Sequence, residues 1–513
     1  MRYGRMQNSV RFAQIFFVLF LVACQSAPVG YGTDSRISPV ASQREQVQWV
    51  QCTGLLQHMD ALVARYGVQD AQAQRIDGFS YLRVNRFLAS YAVEKPANDA
   101  FHFWVDQLQA LDLQARKMEW RNLGAAQSEL AIRFPSFDYE RFENTISMCS
   151  NLLRNHDFTG DAARARLFAS LRIVPEYNTW QRVLGLYPIT AIFVRMGIER
   201  LQHRIHEMFR RTEAQIPVEG RLVRYRPDLP KYFPRNPDAN VRAEIPLSSH
   251  NPLAIPIPTA EQKEFLLYKY APVILVDTVT DDDRIGQPSP VQDTPRVQVD
   301  TRSPVLYQHI SYARLRGQVL LQLNYVFWFP ARTRQSGLDI AAGQIDGITW
   351  RVTLSAEGTP LLYDAMHNCG CYHQFFPTEH LRLRAQAREA AEPVLVPQAI
   401  PAAETPVIRI RSADHFIIRI DSGAHAESTI PYMLQDYDTL RSIPVAGTAN
   451  TRSMFRPDGI VSGTQRLERF LLWPMGVPDP GEMRQWGHHA IAFIGQRHFD
   501  DPDLIERFFD YVP

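Results

Sequence analysis

Residues 305–315 read VLYQHISYARL and residues 318–329 read QVLLQLNYVFWF. Both stretches are rich in the β-branched and aromatic residues that are enriched in strands. Similar runs follow at 348–355 and 360–367, and the residues Ala356–Gly358 between these two are typical of a hairpin turn. The pattern predicts a sheet whose neighbouring strands run antiparallel.

Upstream of these strands, the apolar residues recur at helical spacing, three or four positions apart. The residues that define the first two predicted helices are Trp49, Leu55, Leu56, Met59, Leu62, Val63 and Tyr66, followed by Tyr81, Val84, Phe87, Leu88 and Tyr91. The run Leu184–Val194 is also apolar, but it is shorter than the about 20 residues that cross a bilayer. We therefore expect a buried core helix at Leu184–Val194.

A proline-rich stretch separates the helical and strand-rich parts. Residues 217–258 contain nine prolines, a density that neither a helix nor a central strand tolerates. We therefore expect residues 216–258 to be an extended connector between an α-helical domain at 46–215 and a β-rich domain at 259–513. Residues 385–406 form an Ala/Pro-rich excursion within the second domain. The predicted fold class is α+β, with an N-terminal α-helical domain followed by a C-terminal antiparallel β-rich domain.

The composition is that of a globular protein. The chain has 513 residues, of which 45% are hydrophobic and 21% are charged, and this excludes a largely disordered chain. The 55 basic and 54 acidic side chains nearly cancel, which leaves a net charge of +1. No overall field attracts nucleic acid, so we expect no nucleic-acid partner.

The first residues have the pattern of an export signal. Arg2, Arg5 and Arg11 precede an apolar run at Phe12–Val22, which is too short to span a bilayer. We therefore expect residues 1–23 to be a cleaved signal peptide.

This signal ends at residues 21–24 in Leu-Val-Ala-Cys, which resembles the lipobox of bacterial lipoproteins. The resemblance implies cleavage after Ala23, a diacylglyceryl thioether on Cys24, and acylation of the new amino group by a chain such as palmitate. Gln25 is not the aspartate that retains such proteins at the inner membrane, so an outer-membrane lipoprotein facing the periplasm is implied. Residues 24–45, rich in Ser, Pro and Gly, then form a flexible tether to the membrane.

The four remaining cysteines fit an oxidising compartment such as the periplasm. They are Cys52, Cys149, Cys369 and Cys371, and they allow three pairings. Their neighbourhood in the sequence favours a disulfide between Cys52 and Cys149 and a second between Cys369 and Cys371. The second bridge would be tight and strained, hence more reducible, and would make a candidate redox centre.

One short segment combines two thiols with two imidazoles. Its donors are His367, Cys369, Cys371 and His373. On a regular strand these four side chains share one face, because alternate residues point the same way. They reach a single ion only if the chain folds back, and Gly370 is the residue that allows it. The donors suit Zn or Cu(I), so a metal centre, a redox pair and structural cysteines are three alternatives for this segment.

Familiar catalytic motifs are absent from the sequence. It contains no phosphate-binding Gly-x-x-x-x-Gly-Lys, no dinucleotide-binding Gly-x-Gly-x-x-Gly, no Gly-x-Ser-x-Gly and no His-Glu-x-x-His. Whether the protein is an enzyme is therefore open. One hypothesis is a lipid-anchored periplasmic protein with a metal or thiol-redox centre around 367–373. The alternative is a non-catalytic module that binds or scaffolds other envelope proteins and whose cysteines are structural.

The surroundings of the His/Cys segment discriminate between these two hypotheses. A concave pocket that contains His367 and His373, together with the distant His309 or His488, favours the enzyme. Two cysteines sealed in a hydrophobic core favour the binding module.

Overall fold

The chain forms a helix-rich first part and a strand-rich second part. A computed structural model describes residues 43–233, 251–337, 339–388, 390–421, 426 and 428–512. The helices of these residues are α1 Gln43–Tyr66, α2 Arg86–Glu94, α3 Asn98–Leu123, α4 Gln127–Arg133, α5 Phe142–Asp157, α6 Asp161–Ser170, α7 Thr179–Leu184, α8 Tyr187–Arg210, α9 Ala260–Lys269, α10 Ala385–Arg388, α11 Arg469–Leu472 and α12 Leu504–Phe508. The predicted α+β fold class is confirmed.

Most strands belong to the second part of the chain. The strands are β1 Gln74–Ile76, β2 Phe79–Val84, β3 Arg221–Pro227, β4 Val273–Thr278, β5 Gln287–Pro290, β6 Val297–Asp300, β7 Val305–Leu315, β8 Gln318–Arg332, β9 Gly343–Leu354, β10 Pro360–His367, β11 Gln374–Pro377, β12 Leu381–Leu383, β13 Val407–Ile410, β14 Ile417–Asp421, β15 Ser428–Asp436, β16 Ile443–Pro444, β17 Thr451–Arg452 and β18 Phe509–Tyr511. The predicted hairpin between β9 and β10 is present, and Gly358 takes a φ of +80° in its turn.

A ten-stranded sheet organises the second part, in the order β11-β10-β9-β8-β7-β15-β3-β4-β13-β14. Strands β7 to β10 pair antiparallel with one another, as the sequence predicts, and β11, which the sequence analysis does not predict, pairs antiparallel with β10. However, β15 runs parallel to both β7 and β3, and β13 runs parallel to β4. The sheet is therefore mixed, and the prediction of purely antiparallel pairing is wrong. Hairpin patterns determine only the pairing of consecutive strands, whereas β13 and β15 return to the sheet from distant points of the chain.

Strand β8 shows why the quoted run is almost continuously apolar. Leu323, Tyr325 and Phe327 pack into the core on one face of the sheet. Val326 and Trp328, which point the other way, pack into a second core. A strand buried on both faces needs apolar residues at successive positions rather than at alternate ones.

The expected connector at 216–258 contains a strand of the large sheet. Strand β3 lies between β15 and β4, so part of this stretch is a central strand and the expectation of a connector is wrong there. A strand can form here because the prolines are unevenly distributed. Val218–Arg226 contains no proline, and β3 reaches Pro227 only at its last residue. Residues 234–250 of the same stretch lie outside the described residues.

The second predicted helix is also corrected. Tyr81 and Val84 lie in β2, which pairs with β1, whereas Phe87, Leu88 and Tyr91 lie in α2. Asn85 separates the two elements: its backbone is extended, and its side chain accepts a hydrogen bond from the Leu88 amide at 2.9 Å. This N-cap starts α2 after the strand has ended, although the apolar spacing continues across the junction.

A disulfide joins Cys52 of α1 to Cys149 of α5, at a sequence separation of 97. This is the pairing that the sequence favours. Both cysteines are buried in the core of the helical part.

Buried ion pairs connect the first part of the chain to the second. Arg441 donates two hydrogen bonds of 2.8 Å to the carboxylate of Asp70. Both side chains are at least 96% buried. Arginines are well suited to such sites because the guanidinium stays charged and binds a carboxylate through two parallel hydrogen bonds.

The described residues from Trp49 onward pack as one compact unit. The predicted signal peptide, Cys24 and the tether as far as residue 42 lie outside the described residues. Among the helices that the structure describes, none combines the length and apolar character that crossing a bilayer requires.

Candidate functional site

The His/Cys segment forms the tight loop between β10 and β11. Gly370 takes a φ of +93°, and a Cβ at this position would lie 2.4 Å from the carbonyl oxygen of Ala490. The Gly370 amide donates to the His367 carbonyl at 2.7 Å, and the His367 amide donates to the Cys371 carbonyl at 3.0 Å. The chain therefore folds back at Gly370, where the sequence places the bend.

This bend directs the first histidine into a buried chain of charged groups. Nδ1 of His367 lies 3.6 Å from Asp346, and the other Asp346 oxygen lies 2.8 Å from Nδ1 of His415. Nε2 of His415 in turn lies 3.7 Å from Asp283. All four side chains are at least 95% buried.

Electrostatics explain how this buried chain is tolerated. Burial alone lowers the pKa of His415, but the hydrogen bond with Asp346 and the nearby carboxylate of Asp283 outweigh it and raise the pKa to about 9. Burial likewise raises the pKa of the Asp346 carboxyl, yet His367 and His415 hold that pKa well below its usual range. At neutral pH a cationic His415 thus lies between the carboxylates of Asp346, in β9, and Asp283.

The second histidine has a different carboxylate partner. Nε2 of His373 lies 2.8 Å from Asp364, which also accepts hydrogen bonds of 2.9 and 2.5 Å from Arg351. A further hydrogen bond of 2.6 Å joins Arg351 to the Phe499 carbonyl. Burial lowers the pKa of His373, although Asp364 partly offsets this effect. His373 is therefore a neutral imidazole that Asp364 holds in one orientation.

The two cysteines of the segment are free thiols, so the expected disulfide between Cys369 and Cys371 is not formed in the structure. Cys369 is buried in the core, and Cys371 is half-buried. The Cys371 amide donates to Sγ of Cys369 at 3.4 Å. A side-chain hydrogen bond with Cys369, together with burial, raises the pKa of the Cys371 thiol well above its usual range. A protonated thiol is a poor nucleophile, and the redox role of this pair stays a prediction.

The four donors do not converge on one point. His367 faces Asp346, His373 faces Asp364, and the Cys369 thiol accepts a hydrogen bond from the Cys371 amide. In the part of the chain that the structure describes, no group of three or more His, Cys, Asp or Glu side chains could hold a metal ion. The physical reason is that the bend at Gly370 sends the two imidazoles to separate buried carboxylates.

An apolar cavity of about 290 Å³ opens beside this loop. Its first wall is α8, which presents Val194, Ile198, Leu201 and Ile205 at spacings of four, three and four residues, and hence on one face. The opposite walls are apolar side chains of the β10–β11 loop, the Ala/Pro-rich excursion and the C-terminal region: Tyr372, Phe375, Val394, Leu395, Leu472, Ile491 and Phe493.

Few polar side chains line the cavity, and Glu392, Arg497 and His373 among them have partners within the protein. The carboxylate of Glu392 accepts hydrogen bonds from the Phe493 and Ile494 amides, and Arg497 donates to the Glu392 carbonyl at 2.9 Å. His373 lines the cavity but is bound to Asp364. The cavity therefore favours an apolar ligand over a charged one.

The cavity contains only part of the predicted site. Cys371 and His373 line it, whereas His367, His309 and His488 do not. His309 packs edge-on against Trp486, and His488 lies 2.8 Å from Glu176. The surroundings of the His/Cys segment therefore do not decide between an enzyme and a binding module. Cys369 is sealed in the core, as expected for a binding module, whereas Cys371 lines a pocket, as expected for an enzyme.

The outside of α8 carries a second apolar surface. Ile189, Ile192, Phe193 and Met196 recur at i, i+3, i+4 and i+7, and between 45% and 69% of each side chain is exposed. The expectation that Leu184–Val194 is a buried core helix is therefore wrong. We call the exposed residues around it the outer apolar face: Trp180, Val183, Leu184, Leu186, Ile189, Ile192, Phe193, Met196, Leu467, Phe470 and Leu471.

Sequence reasoning missed both surfaces of α8, although a signal was present. The apolar residues of this helix follow two stripes, one through 189, 192, 193 and 196 and the other through 194, 198, 201 and 205. A helix that is apolar on two sides must pack against two surfaces, and only one of these can be the hydrophobic core of the same chain.

No protein-family model, no curated protein and no solved structure matches this chain. The function must therefore be inferred from the cavity and its surroundings.

Proposed function

We propose that this protein is a lipid-anchored, non-catalytic envelope module that binds the apolar chain of an amphiphile in the cavity behind α8. The observation that carries this proposal is the cavity of about 290 Å³ with apolar walls on both sides. Its size is at the lower end for ligand-binding pockets, roughly 300 Å³, which suits one flexible chain better than a bulky ligand.

The chemistry of the walls supports an apolar chain. Each methylene transferred from water into such a cavity contributes about 0.8 kcal/mol, so several together give measurable affinity. Burial raises the pKa values of the Glu392 and Glu468 carboxyls, which shows that this environment disfavours charge. The polar end of the amphiphile is therefore expected to stay outside the cavity, in water or at a membrane surface.

The proposed location rests on the N-terminal lipobox. A lipid on Cys24 would keep the folded unit at the outer membrane, facing the periplasm, where acyl-bearing amphiphiles are abundant. Partner proteins of the envelope are compatible with this location, since an amphiphile carrier has to receive and deliver its ligand.

Replacing Cys24 with alanine is expected to leave a full-length, unlipidated precursor. The thiol is the group that becomes alkylated, and without this step the peptidase does not cleave after Ala23. Mass spectrometry of the membrane-extracted protein measures both changes. Ser26→Ala, two positions further on, serves as the matched control and should mature normally; a Cys24→Ala protein that matures to the same mass as this control contradicts the anchor.

Replacing Gly197 with leucine is expected to block the cavity. Gly197 lies on the α8 wall, and a Cβ added there meets no heavy atom within 4 Å. The variant should fold, because replacing a glycine in a helix adds stability of roughly 0.5–1 kcal/mol. We expect the affinity for a fluorescent polyene fatty acid to fall about tenfold, since displacing two methylenes at about 0.8 kcal/mol each removes that much binding energy.

Gly197→Ala is the matched control for this experiment. It adds the same helix propensity without the bulk, and its affinity should stay close to that of the unmodified protein. Ile198→Trp enlarges a neighbouring side chain of the same wall and should act like Gly197→Leu. Equal affinities in all four proteins, or no binding by any of them, would contradict the proposed function.

A further inference from the structure

We infer that the outer apolar face docks on the surface of an anionic phospholipid bilayer. This goes beyond the proposed function, since docking does not require that the cavity holds a ligand. The surface is larger than the scattered single apolar residues that are normal on soluble proteins, because it joins three elements of the chain.

Several contacts make the face continuous. The Asn178 amide, just before α7, donates to the Gly476 carbonyl at 2.6 Å, and Arg182 of α7 donates to the Met475 carbonyl at 2.8 Å. A 3-10 helix at Trp473–Met475 follows α11 directly and packs against both α7 and α8. Leu472 of α11 also lines the same cavity as Val194 of α8. The three helices therefore meet at this 3-10 helix, and their exposed apolar side chains lie in one region of the protein.

The arginines beside the outer apolar face indicate that its partner is anionic. Between Thr179 and Arg204 the sequence contains four arginines and a single acidic residue, Glu199. Arg195 forms a 2.8 Å hydrogen bond with Glu199, while Arg200 and Arg204 lie further along the exposed side of α8. An amphipathic helix with an apolar face and flanking arginines fits anionic lipid headgroups, with the apolar side chains inserted among the acyl chains.

The same charges disfavour a second copy of the chain as the occupant of this face. Self-association through the face would bring two sets of arginines close together, which like-charge repulsion opposes. A bilayer with anionic headgroups pairs with these arginines instead. Docking would also bring the α8 wall of the cavity close to the lipid.

The test is cosedimentation of the mature chain, residues 24–513, produced without lipid, with vesicles. We expect the protein to bind vesicles of phosphatidylethanolamine and phosphatidylglycerol, to bind pure phosphatidylcholine vesicles more weakly, and to lose affinity as salt is added. Phe193→Glu places a charge in the centre of the face and should lower the partition coefficient by about tenfold.

Ile132→Glu is the matched control, because Ile132 of α4 is 80% exposed and does not belong to the face. It should bind anionic vesicles as the unmodified chain does. Because Phe193 does not line the cavity, Phe193→Glu should retain fatty-acid binding in solution, which separates failure of docking from failure of the proposed function.

Three results would overturn the inference. The first is an unmodified chain that does not bind anionic vesicles, and the second is a Phe193→Glu protein that binds them equally well. The third is a dimer in solution that Phe193→Glu dissociates, with no binding to vesicles, since this outcome would assign the face to a second copy of the chain.

Discussion

Replacing Asp364 with asparagine is expected to lower the free energy of unfolding by about 3–5 kcal/mol. Asp364 is fully buried and accepts two hydrogen bonds from the equally buried Arg351. Burial raises the pKa of this carboxyl, but Arg351 and His373 hold it below its usual value. The amide removes the charge but leaves the arginine in place, so a buried cation loses its counter-ion. Urea unfolding followed by circular dichroism measures the change.

Glu199→Gln is the matched control for this substitution. It removes a carboxylate from the Arg195–Glu199 pair on α8, where both side chains are about half exposed. An exposed pair of this kind contributes about 0.5 kcal/mol or less. If the two variants lower stability by similar small amounts, the Arg351–Asp364 pair does not hold the β10–β11 loop as the structure indicates.

The second large effect concerns the disulfide of the helical part. Replacing both Cys52 and Cys149 with alanine is expected to lower the free energy of unfolding by about 4–5 kcal/mol on the chain-entropy model, and by about 2–5 kcal/mol in practice. The reason is that the bond closes a loop with a sequence separation of 97, which restricts the unfolded chain. Cys371→Ala changes a half-buried free thiol and should have a much smaller effect.

Peptide mapping without reduction provides the direct measurement for this bond. Protein produced in an oxidising compartment should yield one linked peptide pair that contains Cys52 and Cys149. Alkylated Cys52 in such protein, or a double variant within about 1 kcal/mol of the unmodified chain, would contradict the assignment.

The fold was predictable wherever local pattern determines pairing. Strands β7 to β10 follow one another through short connections, and their runs of β-branched and aromatic residues mark them individually. The position of β15 between β7 and β3 was not predictable, because nothing in residues 428–436 specifies which strands they will pair with. Pairing over such distances depends on the packing of the whole core.

The candidate site was predictable only in part. The sequence singled out the His367–His373 segment and the bend at Gly370, but it could not show that the two imidazoles would face different carboxylates. The α8 wall lies about 170 positions away from the segment in the sequence, so no local pattern connects them. An apolar run such as Leu184–Val194 also looks the same whether its partner is a core or a membrane surface.

The most direct test of the proposed function is a crystal structure of the chain determined in the presence of saturating lauric acid. We expect the acyl chain to lie between Ile198 of α8 and Tyr372 of the β10–β11 loop, with its carboxylate outside the cavity. The same experiment on Gly197→Leu, with lauric acid at the dissociation constant of the unmodified protein, should show a much lower occupancy of the chain at this position. A structure in which the fatty acid binds elsewhere, or in which the cavity of the unmodified protein contains no acyl chain, would contradict the proposal.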